Sequence, residues 1–371
     1  MNKKLISLLL SAALAVSMLT VPAFAAEGGE ADAALDETNE VVVTLGDTVT
    51  ASTVEDTDKA AADKTAADKT ETADSAPAAS TEKKQITYVA LGDSIVAGVG
   101  LADVKYAKDS TTLYSVDMSP NFKGYSPDCY VGKVATMMGL DRDHAINLGL
   151  PALTAPDLAD MVRDGQMPKM NMESGCWYKY PEFQDYIRKA DVVSVQIGSN
   201  DAFVPCIVAL GNATNWKSEA LAASVLAGDL RASGSPAAAL IQGIKDMHLT
   251  RDERNATWNL LTSEMGKICD RIYPQTTAGL ISVVQEIRKL NPDCQILLMG
   301  YTDPVPFVPC WHNYFKKLNK FEKQLAETYD LTYVAIPKAK TDLDVHPTIS
   351  GHEYIAKKIV NSIELPEDSA Q

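Results

Sequence analysis

Short apolar runs alternate with amphipathic stretches along most of the chain from residue 85 onward. The apolar runs have the length of strands and end at glycine or polar residues, which is typical of buried strands in a parallel sheet. The stretches between them carry apolar residues at helical spacing. This alternation predicts an α/β fold with three layers, a doubly wound sheet of five parallel strands. The predicted strands are 88–91, 144–148, 191–197, 294–299 and 331–336, and the predicted helices are 127–138, one capped by Thr154, 181–189, 276–290, 312–328 and 354–363.

Residues 205–275 do not follow the alternation of strand and helix. Their apolar pattern predicts helices at about 216–228, 235–246 and 251–272. We interpret this region as a helical insertion after the third strand, placed where it could cover a site. The predicted domain spans residues 85–371 and includes this insertion.

The first 26 residues have the pattern of a secretory signal. Lys3 and Lys4 form a basic start, an apolar run follows, and the small residues of Ala23-Phe24-Ala25 provide a cleavage site. No second stretch is apolar and long enough to suggest a membrane span. The sequence therefore predicts a secreted, extracellular protein that could remain associated with the cell surface.

Residues 27–84 are rich in Ala, Asp, Glu and Thr and contain a short repeat, Ala-Ala-Asp-Lys-Thr. Such a composition offers little apolar surface to bury, so this segment is predicted to be disordered. It holds most of the net charge of −15. The remaining domain is only mildly acidic, and its charge does not suggest binding to nucleic acid.

The cysteine pattern permits disulfides but does not suggest a metal site. An even number of cysteines in an exported domain is compatible with disulfides, although the sequence leaves their pairing open. Their wide spacing and the lack of a Cys-x-x-Cys motif argue against zinc, and no motif calls for another metal or a cofactor. The six cysteines are Cys129, Cys176, Cys206, Cys269, Cys294 and Cys310.

Polar residues follow three of the predicted strands. These strands are followed by Gly92-Asp93-Ser94, Gly149 and Gly198-Ser199-Asn200-Asp201. A fourth candidate residue, His346, precedes the last predicted helix. Sites in open α/β sheets form beyond the carboxyl ends of the strands. A serine with a histidine base can act as a nucleophile, and preorganised N–H donors can stabilise the oxyanion that forms. These residues therefore predict acyl transfer.

The four segments, in this order, resemble the four sequence blocks of the SGNH/GDSL hydrolase superfamily. The resemblance implies a flavodoxin-like sheet, a nucleophile at Ser94 and a base at His346. It also implies an oxyanion hole formed by Ser94, Gly149 and Asn200. The second block of the family often carries another glycine where this chain has Ala152. The implied activity is a serine esterase or lipase-like hydrolase that cleaves carboxylic esters of small molecules, lipids or sugars without a cofactor.

The position of the acid that would orient His346 departs from the family pattern. The family commonly has it three residues before the histidine, where this chain has Leu343. An extended backbone before Pro347 would place both Asp344 and Asp342 on the same face as the histidine, and Asp344 is preferred because it is the nearer of the two. A backbone carbonyl could orient the ring instead.

Other readings of these residues stay open at this stage. Asp93 is expected to bond turn amides, Asp201 either to cap the next helix or to contact substrate, and His352 to be structural. The alternative functions are a carbohydrate O-acetyl esterase of the same fold and a non-catalytic surface or carbohydrate-binding protein. The acidic segment and the helical insertion motivate the second alternative, while the complete set of Ser94, Asn200 and His346 argues against it.

Overall fold

The computed structural model describes residues 85–104, 122–221, 233–304, 308–341 and 346–364. The predicted signal at 1–26, the acidic segment at 27–84 and both candidate acids, Asp342 and Asp344, lie outside these ranges. So do residues 222–228 of the predicted helix 216–228. None of the helices in the described ranges is both long and apolar enough to cross a membrane.

All five predicted strands are confirmed and form one parallel sheet. The strands are β1 (Tyr88–Gly92), β2 (Ala145–Gly149), β3 (Val192–Gln196), β4 (Gln295–Met299) and β5 (Thr332–Val334). Their order in the sheet is β2-β1-β3-β4-β5, so the direction of winding reverses beside β1. The residues of β1, β2 and β3 are all buried, as expected when helices cover both faces of a parallel sheet.

The helices pack in two groups, which agrees with a three-layer architecture. The helices are α1 (Ser94–Ala97), α2 (Tyr130–Met138), α3 (Ala155–Asp164), α4 (Phe183–Arg188), α5 (Ser199–Ala213), α6 (Pro236–Asp246), α7 (Arg251–Asn259), α8 (Met265–Leu290), α9 (Pro309–Thr328) and α10 (Ile349–Val360). Helix α2 packs against α10, while α8 packs against α3, α5 and α9. A π-helical turn at Leu260–Glu264 joins α7 to α8.

The predicted break between helices 251–272 and 276–290 is wrong, because α8 continues through Pro274. A proline inside a helix costs about 3 kcal/mol, so packing must outweigh that cost. Gly279 shows how close this packing is: a Cβ at this position would lie 2.7 Å from the backbone nitrogen of Pro156 in α3. The proposed ends of the helical insertion, residues 205 and 275, accordingly fall inside α5 and α8.

The starts of α2, α9 and α10 also differ from the prediction by three residues or more, and α9 begins at Pro309 instead of residue 312. Helix α2 begins at Tyr130, because the Ser126 hydroxyl accepts a hydrogen bond from the Asp128 amide and shapes a turn before the helix. Helix α10 begins at Ile349, several residues early, because the Thr348 side chain accepts the Gly351 amide and caps it.

Candidate active site

Ser94 and His346 lie in direct contact beside the reversal in strand order. Ser94 is the first residue of α1, immediately after β1, and its side chain is nearly buried. The His346 Nε2 atom lies 3.0 Å from Ser94 Oγ, a hydrogen-bonding distance between buried groups. This is the serine–base contact expected from the sequence, at the location where open α/β sheets bind ligands.

Asp93 bonds three separate elements of the site. Its Oδ1 accepts the Ile95 amide at 2.9 Å, while its Oδ2 accepts the Ser199 hydroxyl at 2.7 Å and the Tyr301 hydroxyl at 2.9 Å. The expected bond to a turn amide is confirmed, and the two hydroxyl partners are additional. Burial raises the pKa of the Asp93 carboxyl, while the hydrogen bonds from Ser199, Ile95 and Tyr301 act in the opposite direction.

Asn200 is the second residue of α5 and is almost fully buried. Its Nδ2 donates to the Leu153 carbonyl at 3.0 Å. A side-chain amide nitrogen carries two hydrogens, so one remains for another acceptor. The bond to Leu153 fixes the orientation of the amide and ties the segment after β2 to the start of α5.

Asp201 caps a helix, but not the one that follows it in sequence. Its Oδ2 accepts the Ala155 amide at 2.9 Å, at the start of α3. Burial raises the pKa of Asp201 to about 7. His352 is structural as expected, since its Nδ1 accepts the Tyr130 amide at the start of α2.

Gly149 does not offer the free amide that the resemblance assigned to it. Its N–H donates to Asn147 Oδ1 at 2.9 Å, which occupies the proton needed for an oxyanion. The absence of a side chain has a packing reason, because a Cβ at Gly149 would lie 2.4 Å from the Ala97 nitrogen of α1. We therefore correct the role of Gly149 to close packing of β2 against α1.

Ala152 has a backbone conformation that is typical of glycine. Its φ of +63° lies in the left-handed region, which alanine rarely adopts. Its segment joins two parts of the site, because the Leu150 amide donates to the Gly92 carbonyl at 2.9 Å and Leu153 accepts from Asn200. Within the described ranges, no hydrogen bond uses the Ala152 amide. The candidate donor in this segment is thus Ala152.

One protein family matches most of the residues that build this site and its scaffold. The sequence model of the GDSL-like Lipase/Acylhydrolase family matches residues 90–354. The chain belongs to this family. The match covers Ser94, Asn200 and His346 together with the elements that carry them. No curated protein matches the chain.

Several solved structures resemble this family member at low sequence identity. A lipase, Lip_vut3, from a goat rumen metagenome is 15% identical, with a TM-score of 0.41, and the alignment covers 75% of this chain and 97% of that one. A mutant of Axe2, an acetyl-xylooligosaccharide esterase described as from Geobacillus Stearmophilus, is 17% identical, with a TM-score of 0.38 and coverage of 77% and 98%. Est24, a carbohydrate acetylesterase from Sinorhizobium meliloti, is 13% identical, with a TM-score of 0.40 and coverage of 75% and 97%.

The orienting acid of this family member stays a prediction, because Asp342 and Asp344 lie outside the described ranges. The described residues contain no group of three or more His, Cys, Asp or Glu side chains that could hold a metal ion. Sequence reasoning missed Ser199, Tyr301 and Ala152 as parts of the site. Ser199 and Tyr301 do follow β3 and β4 in sequence, which is the one signal that could have indicated them.

The strained alanine leads to a test of stability. Replacing Ala152 with glycine should raise the free energy of unfolding by about 1 kcal/mol, because glycine adopts positive φ without the steric penalty of a Cβ. Urea unfolding followed by tryptophan fluorescence measures the change. The matched control is Ala256→Gly at an exposed position inside α7, which should lower stability by about 1 kcal/mol. If both variants changed the free energy of unfolding in the same direction, the result would contradict backbone strain at Ala152.

Proposed function

We propose that this protein hydrolyses carboxylic esters through an acyl-enzyme on Ser94. The observation that carries the proposal is the 3.0 Å contact between Ser94 Oγ and His346 Nε2. Membership in a lipase and acylhydrolase family supports the same reaction class. The substrate is a small-molecule, lipid or sugar ester, and water is the second substrate.

The first half of the reaction forms the acyl-enzyme. His346 Nε2 accepts the Ser94 proton while Ser94 Oγ attacks the ester carbonyl. His346 then donates the proton to the departing alcohol as the C–O bond breaks.

The second half releases the acid. His346 accepts a proton from water, the water oxygen attacks the acyl carbonyl, and the proton returns to Ser94 as the ester bond to the enzyme breaks. Both halves pass through an oxyanion that needs donors already in position. We assign these donors to the Ser94 amide, the Ala152 amide and the second hydrogen of Asn200 Nδ2.

Asn200→Ala should lower kcat by about 10²–10³, the usual effect of losing one oxyanion donor. The fall should appear mainly in kcat, since the bond strengthens as charge develops on the oxygen. Hydrolysis of a series of p-nitrophenyl esters measures both constants. The matched control is Asn212→Ala, an exposed position on the same helix, which should leave kcat unchanged. A loss below threefold in Asn200→Ala would remove this side chain from the oxyanion hole.

A fluorophosphonate probe tests the proposal as a whole. Such probes phosphonylate serines that a base has activated, so the intact protein should label at Ser94 and the heat-denatured protein should not. Peptide mass spectrometry locates the adduct. A folded protein that stays unlabelled after prolonged exposure would instead favour a binding protein that keeps the hydrolase fold.

The same proposal includes export. The basic, apolar and small-residue pattern of residues 1–26 supports a cleaved secretory signal, and the hydrolase would then act outside the cell. Residues 27–84 would form an acidic segment ahead of the catalytic domain in the mature chain.

A further inference from the structure

Three of the six cysteines come together on three different helices. Cys206 lies on α5, Cys269 on α8 and Cys310 at the second position of α9. The other three thiols have partners of a different kind: Cys129 accepts the Gly132 amide, Cys176 pairs with the Ser174 hydroxyl, and Cys294 donates to the Asn291 carbonyl. The cluster is therefore specific to Cys206, Cys269 and Cys310.

The register of α8 and α9 brings Cys269 opposite Cys310. One turn further along each helix, the rings of Tyr273 and Tyr314 meet with their centroids 6.2 Å apart. Lys317 of α9 also forms an ion pair at 2.7 Å with Asp270, which directly follows Cys269 on α8. Residues four apart lie on the same face of a helix, so the tyrosine contact places both cysteines at one interface.

Cys206 completes the cluster from the interior side. The thiols of Cys206 and Cys310 both act on the pKa of the Cys269 thiol. The interaction with Cys206 and burial raise the pKa of the Cys269 thiol, and the interaction with Cys269 and burial raise that of Cys310. A raised pKa slows attack by the Cys269 and Cys310 thiols, because the thiolate is the attacking form.

Access differs among the three thiols. Cys269 and Cys310 line a cavity of about 320 Å³, a size typical of small-molecule sites. Cys206 is fully buried. Lys316, Lys317 and Lys320 line the same cavity together with Asp270, which pairs with Lys317, so the remaining positive charge favours an anionic reagent over a cationic one.

We propose that Cys269 and Cys310 form a redox-active modification site that closes to a disulfide by exchange with a small anionic disulfide. The thiolate of Cys310, the more exposed of the two, attacks one sulfur of the reagent, which breaks its S–S bond and releases one equivalent of thiol. Cys269 then displaces the second equivalent from the mixed disulfide and forms the Cys269–Cys310 bond. Two protein thiols are oxidised, one reagent disulfide is reduced to two thiols, and both protons leave with them.

The bond would fix the start of α9 to α8. Tyr301, which donates to Asp93, precedes α9 by eight residues in sequence, so this disulfide would secure the helix that follows a residue of the active site. The proposal does not depend on ester hydrolysis, since its chemistry involves only the two thiols and the reagent.

Glutathione disulfide tests the site on the full chain. The protein is reduced, freed of reductant and held at pH 8.5 in a buffer that contains oxidised glutathione in excess over reduced glutathione. Free thiols are then alkylated, and peptides are mapped without reduction. We expect a Cys269–Cys310 linkage in most molecules, with Cys206 free. No linkage after equilibration, or a dominant linkage through Cys206, would overturn the proposal.

A stability measurement with two variants gives an independent result. Oxidation should raise the melting temperature by about 5 °C, as for a disulfide that closes a loop of this length. Cys310→Ser should abolish this difference between oxidised and reduced protein, while Cys294→Ser should preserve it. A difference that persists in Cys310→Ser would overturn the pairing, and the peptide map of the unmodified chain decides the matter if that variant does not fold.

Discussion

Ser94→Ala should lower kcat/KM for a p-nitrophenyl ester by at least about 10⁴-fold, close to the background rate. The substitution removes only the hydroxyl that His346 contacts and leaves the Ser94 amide in place. Without the hydroxyl there is no acyl-enzyme, and the remaining oxyanion donors can only assist direct attack by water. Initial rates at several substrate concentrations measure the loss.

The control for Ser94→Ala is Ser263→Ala, an exposed serine on the turn that joins α7 to α8. Its rate should equal that of the unmodified protein. Urea unfolding of both variants checks that the fold is intact, since the small side chain at position 94 lies in a turn already fixed by Asp93. A Ser94→Ala protein that keeps a tenth of the activity would refute the nucleophile.

His346→Ala should lower kcat by about 10³–10⁵, because the serine then lacks the base that removes its proton. The loss of the ring also leaves a space beside Ser94 Oγ, since His346 is almost fully buried. Added imidazole should therefore restore part of the activity with saturation kinetics. A rate that rises with imidazole in this variant distinguishes a base from a side chain that only supports the fold.

His144→Ala is the matched control for this variant. His144 immediately precedes β2, at the opposite end of the strand from the site, and pairs with Asp141 on the surface. Its removal should change kcat less than twofold, and imidazole should have no effect. Equal losses in the two histidine variants would show that the His346 contact does not carry the reaction.

The strands could be predicted from sequence because each lies in a short, largely apolar run, and β1, β2 and β3 are buried throughout. Helix ends were less accurate for identifiable reasons. Pro274 suggested a break, yet the packing of α8 on α3 maintains the helix through it. For α10 the apolar pattern began late, and the cap at Thr348 sets its true start.

The site was partly predictable for a related reason. Ser94, Asn200 and His346 carry chemistry in their side chains, so their residue types already indicate a role. A backbone N–H donor cannot be recognised from the residue type. The Gly149 amide, which the resemblance assigned as a donor, is bonded to Asn147. Ala152 is an ordinary residue in the sequence, and only its positive φ distinguishes it. Tyr301 can reach Asp93 because β4, the strand that it follows, lies beside β3 in the sheet. The order of the strands cannot be read directly from the sequence.

The three bonds of Asp93 have a consequence for how this chain can vary. Its carboxylate joins the serine turn to the start of the Asn200 helix and to the end of β4. Tyr301 performs no chemistry in the proposed reaction. A mutation at this position would nevertheless disturb Asp93, which also accepts hydrogen bonds from Ile95 and Ser199. Evolutionary drift at such supporting positions should consequently be restricted almost as strongly as at the reacting groups themselves.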